Sequence, residues 1–213
     1  DGHAITDSSI TVLEGEQVEV TIPVLKLKEV PLKFEFSNVP AGYDPAELNA
    51  SISPATIRIA GAADTVDGIE SVNAGFINLA RVQLGKAETL KIQLSEGLVN
   101  VDDVQEATVT FDTSGYGEPR AITVSDIRVV NAPSGVDVKV ITESINNVTL
   151  VGEAEELAAI SPSDVIAQVD ASAQNITVKG SGQQQFSAQI IVTGTKTVFA
   201  TGAYSVLCDI TVK

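Results

Sequence analysis

The chain has 213 residues, a formal net charge of −15 and one cysteine. This acidity argues against binding to nucleic-acid phosphates or to anionic lipid, because both depend on clustered Lys and Arg. A single cysteine excludes an intramolecular disulfide, and no run of apolar residues approaches the roughly 18 that a membrane-spanning helix requires.

The N-terminal segment predicts strands that belong to an earlier unit. Short alternating apolar runs cover Ser9–Leu13 and Gln17–Val24, a pattern typical of half-buried strands. They do not fit the front of the repeat described below. Residues 1–27 are therefore predicted to close a preceding repeat or to form a linker. The chain is then a fragment of a longer protein, in which any anchor or signal peptide would lie upstream.

The rest of the chain has the same alternating pattern, interrupted by Gly, Pro, Asn and Asp. It predicts a mostly β fold. The candidate strands of the first part are Val30–Phe36, Thr56–Ile59, Thr89–Ser95 and Ala107–Phe111. Those of the second part are Ala121–Val130, Val136–Ile141, Asn147–Val151, Ile176–Val178, Phe186–Val192 and Tyr204–Val212. Residues 62–69 and 153–160 predict one short helix each, because acidic residues in the first turn favour the helix dipole.

Two stretches of the sequence are nearly the same, and they predict a duplication. The turn-forming segment Asn38–Gly42 (NVPAG) matches Asn131–Gly135 (NAPSG), and Gly61 matches Gly152. We expect two tandem small elongated β-rich domains over residues 28–112 and 121–213, joined by a linker over residues 113–120. Each repeat is predicted to run strand, turn, two strands, glycine, short helix and three strands. Gly61 and Gly152 are predicted to be equivalent and to have positive φ.

The motifs of the first repeat resemble the YbbR-like domain family. The segments that carry this resemblance are Val30–Phe34 (VPLKF), Asn38–Tyr43 (NVPAGY), Ile52–Gly61 (ISPATIRIAG), Ile69–Leu79 and Val109–Phe111. The second repeat keeps Val148–Gly152 (VTLVG) and Val169-Asp170. It departs at Ser144–Asn147 (SINN), where asparagine replaces the usual proline, and it has Val124-Ser125 where the family usually has Val-Pro. The resemblance extends over about residues 28–213.

The resemblance implies a location and a partner. YbbR-like proteins typically carry an N-terminal membrane anchor followed by several such domains outside the cytoplasmic membrane. Some are similar to the regulatory partner of a membrane diadenylate cyclase, which makes cyclic di-AMP. We therefore expect a non-enzymatic interaction array on the extracytoplasmic face of the bacterial cell membrane, with a protein partner and no nucleic acid. Membrane attachment would come only through an anchor absent from this fragment. The alternative is a cell-surface or adhesin-type spacer that binds glycan or matrix.

Catalytic, cofactor-binding and metal-binding residues are not predicted. His3 is the only histidine and lies in a terminal segment, and Cys208 is expected to be a buried apolar thiol. The acidic pairs Asp102-Asp103 and Glu155-Glu156 are expected on solvated faces, and Gly180–Gln183 is expected to form a hairpin turn. The sequence has no EF-hand calcium loop, although weak calcium binding at the acidic surface stays open. An enzyme that uses carboxylates alone is a weaker alternative, and it would require a deep acidic cleft.

Overall fold

The computed structural model describes residues 24–212, and the prediction of a mostly β chain is confirmed. The N-terminal half contains β1 (Lys26–Ser37), β2 (Ala50–Ser53), β3 (Thr56–Gly61), β4 (Val72–Asn78), β5 (Glu88–Lys91), β6 (Val99–Asn100) and β7 (Glu106–Phe111), with the helix α1 (Ala63–Asp67) between β3 and β4.

The C-terminal half contains β8 (Arg120–Val124), β9 (Asp126–Val130), β10 (Val136–Val140), β11 (Ile145–Val151), β12 (Val165–Asp170), β13 (Ser181–Val192), β14 (Phe199–Thr201) and β15 (Tyr204–Val212). Its helix α2 (Ala154–Ala159) lies between β11 and β12. Short 3-10 turns are formed by Pro45–Glu47, Pro162–Asp164 and Ala171–Ala173.

The two halves pair their strands in the same way. In the N-terminal half β1 is antiparallel to β3 and parallel to β4. In the C-terminal half β8 and β9 together take the place of β1, because β8 is antiparallel to β11 and β9 is parallel to β12. The pairs β3–β6 and β11–β14 correspond, as do the orders β2-β7-β5 and β10-β15-β13. Each half therefore has one more strand after its helix than was predicted. The additional strands, β6 and β14, are too short to show an alternating pattern.

The duplicated turn has the same backbone in both halves. Asn38 and Asn131 have φ values of 49° and 54°, and Gly42 and Gly135 have φ values of 87° and 78°. The amide of Tyr43 donates to Pro40 O over 3.2 Å, and that of Val136 donates to Pro133 O over 3.0 Å. Asn and Gly tolerate the left-handed region better than other residues. The Asn and Gly residues that the two copies share are therefore those that the turn conformation requires.

Gly61 and Gly152 both directly precede the N-cap of the short helix, but the prediction of positive φ is wrong for Gly61. A Cβ on Gly61 would lie 3.0 Å from Gly97 O, and one on Gly152 would lie 2.5 Å from Thr197 O. Both glycines are therefore needed mainly because another loop passes close to the backbone. Gly152 also has a φ of 156°.

Each half has its own apolar core, built by alternation along the strands. Val30, Leu32, Ile57, Ile59 and Val72 are buried in the N-terminal core. The C-terminal core is larger, and its fully buried members include Val124, Val148, Leu150, Val165 and Phe186.

A cationic side chain also holds the end of each short helix. Lys28 Nζ donates to Ile69 O over 2.7 Å, and Arg120 Nη1 donates to Ile160 O over 2.8 Å.

Several predicted boundaries are wrong. The strand predicted as Thr89–Ser95 ends at Lys91, and Ala121–Val130 is divided into β8 and β9 at Ser125. Ile176–Val178 is not a strand, because the side chain of Gln184 takes the place of a partner strand: its Oε1 accepts from Thr177 N and its Nε2 donates to Asn175 O.

Gly180–Gln183 is not a hairpin turn, since β13 begins at Ser181. The first strand begins at Lys26 rather than at Val30. Ser9–Leu13 and Gln17–Val24 lie outside the described residues except for Val24, which is not in a strand.

Candidate functional site: the contact between the two halves

The two halves meet through a third apolar cluster that contains residues of both. Tyr43, Leu79 and Phe111 of the N-terminal half pack with Val151 and Phe199 of the C-terminal half. The rings of Tyr43 and Phe199 have centroids 4.3 Å apart at 44°. Phe199 is 1% exposed. Burial of a Phe side chain contributes roughly 1.5–3 kcal/mol, so the contact holds the halves together.

Local structure places each of these side chains at the junction. Tyr43 directly follows the turn that ends at Gly42, while Leu79 follows β4 and Phe111 ends β7. Val151 and Phe199 are paired residues of β11 and β14. The turns and strand ends of the N-terminal half therefore pack against one strand pair of the C-terminal half.

The segment predicted as a linker is fixed to the C-terminal half. Gly117 N donates to Gly152 O over 3.0 Å, and Ala154 N donates to Gly115 O over 2.9 Å. Tyr116, between them, forms an isolated β-bridge with Glu153 and packs against the shared cluster. A backbone hydrogen bond also joins the two halves, in which Gly202 N donates to Ala80 O over 2.6 Å.

Two tyrosine hydroxyls are enclosed at this junction. Tyr43 Oη and Tyr116 Oη are buried and have no hydrogen-bond partner. Burial raises the pKa of both phenols, and for Tyr43 the nearby Tyr116 adds to the effect. Both side chains therefore stay neutral at physiological pH and act as packing groups.

Beside the apolar cluster lies a cleft of about 520 Å³ with both polar and apolar walls. The N-terminal half lines it with Asn38, Asn78 and Arg81, and the C-terminal half with Gln168, Asp170, Gln174, Gln189 and Tyr204 among others. Arg81 makes no ion pair with any residue from 24 to 212. Asp170 is the one carboxylate in the lining, so the cleft differs from the acidic one that a carboxylate enzyme would require.

The polar walls are largely occupied by structural hydrogen bonds. Asp170 Oδ1 accepts from Ser172 Oγ over 2.7 Å and its Oδ2 accepts from Asn131 Nδ2 over 3.0 Å. These bonds, with Ser172 first, lower the pKa of Asp170. Tyr204 Oη accepts from Thr149 N over 2.9 Å and donates to Thr201 O over 2.6 Å.

The residues that the sequence singled out have structural roles. Cys208 is fully buried in β15 among apolar neighbours, and burial raises the pKa of its thiol. Asp102 forms an ion pair with Arg58, with a distance of 2.6 Å between Oδ1 and Nη2, whereas Asp103 accepts from Gln105. Glu156 accepts from the hydroxyls of Thr195 and Thr197, and these bonds lower its pKa. His3 lies outside the described residues.

Within residues 24–212, no group of three or more His, Cys, Asp or Glu is arranged to hold a metal ion. The helices of this part of the chain include none that is long and apolar enough to cross a membrane. Sequence reasoning missed the junction itself, because its members are scattered apolar residues without a common spacing.

A family model described as YbbR-like protein matches residues 30–112. Residues 30–112 are therefore similar to a YbbR-like domain. The matched residues make up nearly all of the N-terminal half, including its turn, its short helix and Gly61. The resemblance of the motifs in this half is thus confirmed.

Two solved structures are also similar to the chain. A YbbR-like protein from Streptococcus pneumoniae TIGR4 has 17% identity, with 93% of this chain and 99% of that chain covered and a TM-score of 0.33. SuR18C from Streptococcus thermophilus has 20% identity, with 43% of this chain and 89% of that chain covered and a TM-score of 0.33. At these TM-scores neither adds to the fold described above. No curated protein matches the chain.

Proposed function

We propose that the chain is a non-catalytic interaction module of two YbbR-like domains that act as one rigid body. The second domain comprises residues 121–213, and its strand pairing, which repeats that of residues 28–112, supports this assignment. The observation that carries the proposal is the apolar cluster shared by the two halves, in which Phe199 of one half packs on Tyr43 of the other. A rigid pair presents a surface of fixed shape to a partner.

The proposed partner is a membrane diadenylate cyclase, and the proposed place is the extracytoplasmic face of a bacterial membrane. The resemblance to YbbR-like proteins supports both. The full-length protein would be held at the membrane by an anchor outside this sequence, and its domains would bind the cyclase and change its activity. The acidic surface fits contact with a protein rather than with lipid headgroups or nucleic acid.

The test is the cyclic di-AMP content of cells that carry the full-length gene, a deletion, or the variant Phe199→Asp. The deletion should change the content several-fold, and Phe199→Asp should behave like the deletion because it separates the halves. The matched control is Phe76→Asp, which introduces the same charge at an exposed phenylalanine of the N-terminal half. Unchanged cyclic di-AMP in the deletion would exclude regulation of the cyclase.

A second candidate function is an adhesin-type spacer that binds a glycan. The observation that favours it is the cleft of about 520 Å³, since the amide side chains of Gln168 and Gln189 with Arg81 suit sugar hydroxyls. A glycan array separates the two candidates. Binding that is lost in Gln168→Ala and kept in Gln183→Ala, outside the cleft, would favour the spacer.

A further inference from the structure

One face of the N-terminal half corresponds to the face through which the C-terminal half is docked. Val151 pairs with Phe199 directly before Gly152, and Ala60 pairs with Val99 directly before Gly61. Val99 is therefore the counterpart of Phe199. The next positions along the same strand pairs also correspond, because Thr149 pairs with Thr201 and Arg58 O accepts from Val101 N.

The entering chain corresponds as well. Arg120 pairs with Leu150 and Lys28 pairs with Ile59, and both reach the end of their short helix. Tyr116 lies four positions before Arg120, and Val24 lies four positions before Lys28. Val24 thus stands where the linker tyrosine stands in the C-terminal half.

The two faces differ in whether they are covered. Val151 is 6% exposed and Phe199 is 1% exposed, because the N-terminal half packs on them. On the other face Val24 is 90% exposed and Val99 is 51% exposed. Leu25, Leu27 and Val101 are also large exposed apolar residues there. Contiguous exposed apolar residues of this kind mark interaction sites.

We propose that this face, formed by Val24, Leu25, Leu27, Val99 and Val101, docks a further YbbR-like domain that lies on the N-terminal side of Val24. The arrangement would be the one that joins the two halves. The inference deepens the proposed function, on which it rests for the idea of an array. It names the surface through which the array continues.

The chemistry of the occupant follows from the junction already described. A docking domain must present an apolar surface like that of Tyr43, Leu79 and Phe111. The C-terminal half of a second copy does not fit, because Val136 stands in place of Tyr43 and Ala171 in place of Leu79. The N-terminal half of a second copy has its surface covered by its own C-terminal half. A domain similar to the N-terminal half, joined through the chain that enters at Val24, meets the requirement.

The test uses a chain with a duplicated unit, residues 1–119 followed by residues 28–213. Pro119 then precedes the second Lys28 as it precedes Arg120, so Tyr116 takes the position of Val24. A thiol is introduced as Val99→Cys in the second copy, and its reaction with a maleimide is compared with that of Val99→Cys in the 213-residue chain. Cys208 is buried and serves as the unreactive background. We expect at least a tenfold slower reaction in the longer chain.

The matched control is Phe76→Cys, at a position that is 62% exposed outside this face. Its thiol should react equally fast in both chains. An equal rate for Val99→Cys in both chains would overturn the proposal.

Sedimentation of the 213-residue chain distinguishes other occupants. A monomer is expected at all concentrations, and self-association that Val99→Asp abolishes would show a second copy as the occupant and overturn the proposal. The two tests are independent. Unchanged cyclic di-AMP together with a protected Val99→Cys thiol would exclude the cyclase but keep the docking face. Changed cyclic di-AMP together with an unprotected thiol would keep the cyclase but exclude the docking face.

Discussion

The two halves share a strand order, but they differ at the strand that follows the short helix. In the C-terminal half, β12 pairs with β13, which also pairs with β15, so five strands form one sheet. In the N-terminal half, β4 contains an extra residue between Asn73 and Phe76 where β1 advances from Lys33 to Glu35. Bulges of this kind interrupt a ladder. As a result β4 and β5 belong to separate sheets.

This difference shows which parts of the repeat determine the strand order. The turn at Asn38–Gly42 and its copy, the close-packed glycines and the alternation of apolar residues produce the same strand order in both halves. A single inserted residue in β4 changes the pairing at one edge without changing that order. The following experiments break or sharpen the comparison, from the largest expected effect to the smallest.

The largest effect is expected at the counterparts Phe199 and Val99. Phe199→Ala removes a fully buried ring from the junction and should lower the free energy of unfolding by about 3–5 kcal/mol. Val99→Ala, at the exposed counterpart, should change it by less than about 0.5 kcal/mol. Urea unfolding followed by circular dichroism measures both. Equal losses of unfolding free energy would contradict the account, in which Phe199 and Val99 occupy equivalent positions and only Phe199 is covered.

The next effect is expected at the two glycines. Gly152→Ala would place a Cβ 2.5 Å from Thr197 O and 2.7 Å from Val198 Cα, and we expect a loss of about 3 kcal/mol. Gly61→Ala would place a Cβ 3.0 Å from both Gly97 O and Leu98 Cδ2, and we expect a loss of about 1 kcal/mol. The comparison of unfolding midpoints decides the order. A larger loss at Gly61 would contradict the backbone approach described for Gly152.

A smaller effect is expected at the bulge. Asn73 Oδ1 accepts from Gly75 N over 2.8 Å and holds the extra residue. Asn73→Ala removes this bond and also the exposed one from Asn73 Nδ2 to Glu35 Oε1 over 3.1 Å. It should cost about 1 kcal/mol or slightly more, since the typical net value of one hydrogen bond is about 1 kcal/mol. The control is Gln93→Ala, which should be nearly neutral. Gln93 lies across a surface pocket from Asn73. If Asn73→Ala were also neutral, the bulge would not depend on this bond.

The smallest effect concerns acid pH. The pKa values of Glu156 and Asp170 are lowered in the folded chain, so their contribution to stability is fully present above the pKa of the unfolded carboxyl. It is lost as the pH falls below that value and through the lowered pKa of the folded chain. The urea midpoint should therefore decrease between pH 5 and pH 3. Glu156→Gln removes one of these carboxyls, so its midpoint should decrease less over the same range. An identical decrease would show that the bonds from Thr195 and Thr197 do not favour the ionised form.

Sequence patterns predicted the elements with strong periodicity and missed the elements that depend on distant contacts. The strand Tyr204–Val212 has the predicted bounds, and both short helices lie within their predicted ranges. In contrast, β6 and β14 are defined only by their partners β3 and β11. The early end of β5 at Lys91 coincides with the start of its partner β7 at Glu106.

The junction could not be predicted for a similar reason. Tyr43 and Phe199 are far apart in sequence, and neither has a neighbour whose pattern points to the other. The sequence could indicate that Tyr43 follows a turn, but the packing of that turn on β11 and β14 is decided by the three-dimensional arrangement. The correspondence between Val99 and Phe199 is likewise visible only from strand pairing, because the two loops before them differ in length.

The central claim is that the two halves form one rigid body through the cluster around Tyr43 and Phe199. Backbone ¹⁵N relaxation of the 213-residue chain tests it most directly, with Phe199→Asp as the separated reference. We predict that amides of both halves report one shared rotational correlation time in the natural chain and two shorter ones in the variant. Two different correlation times in the natural chain, equal to those of the variant, would contradict the claim.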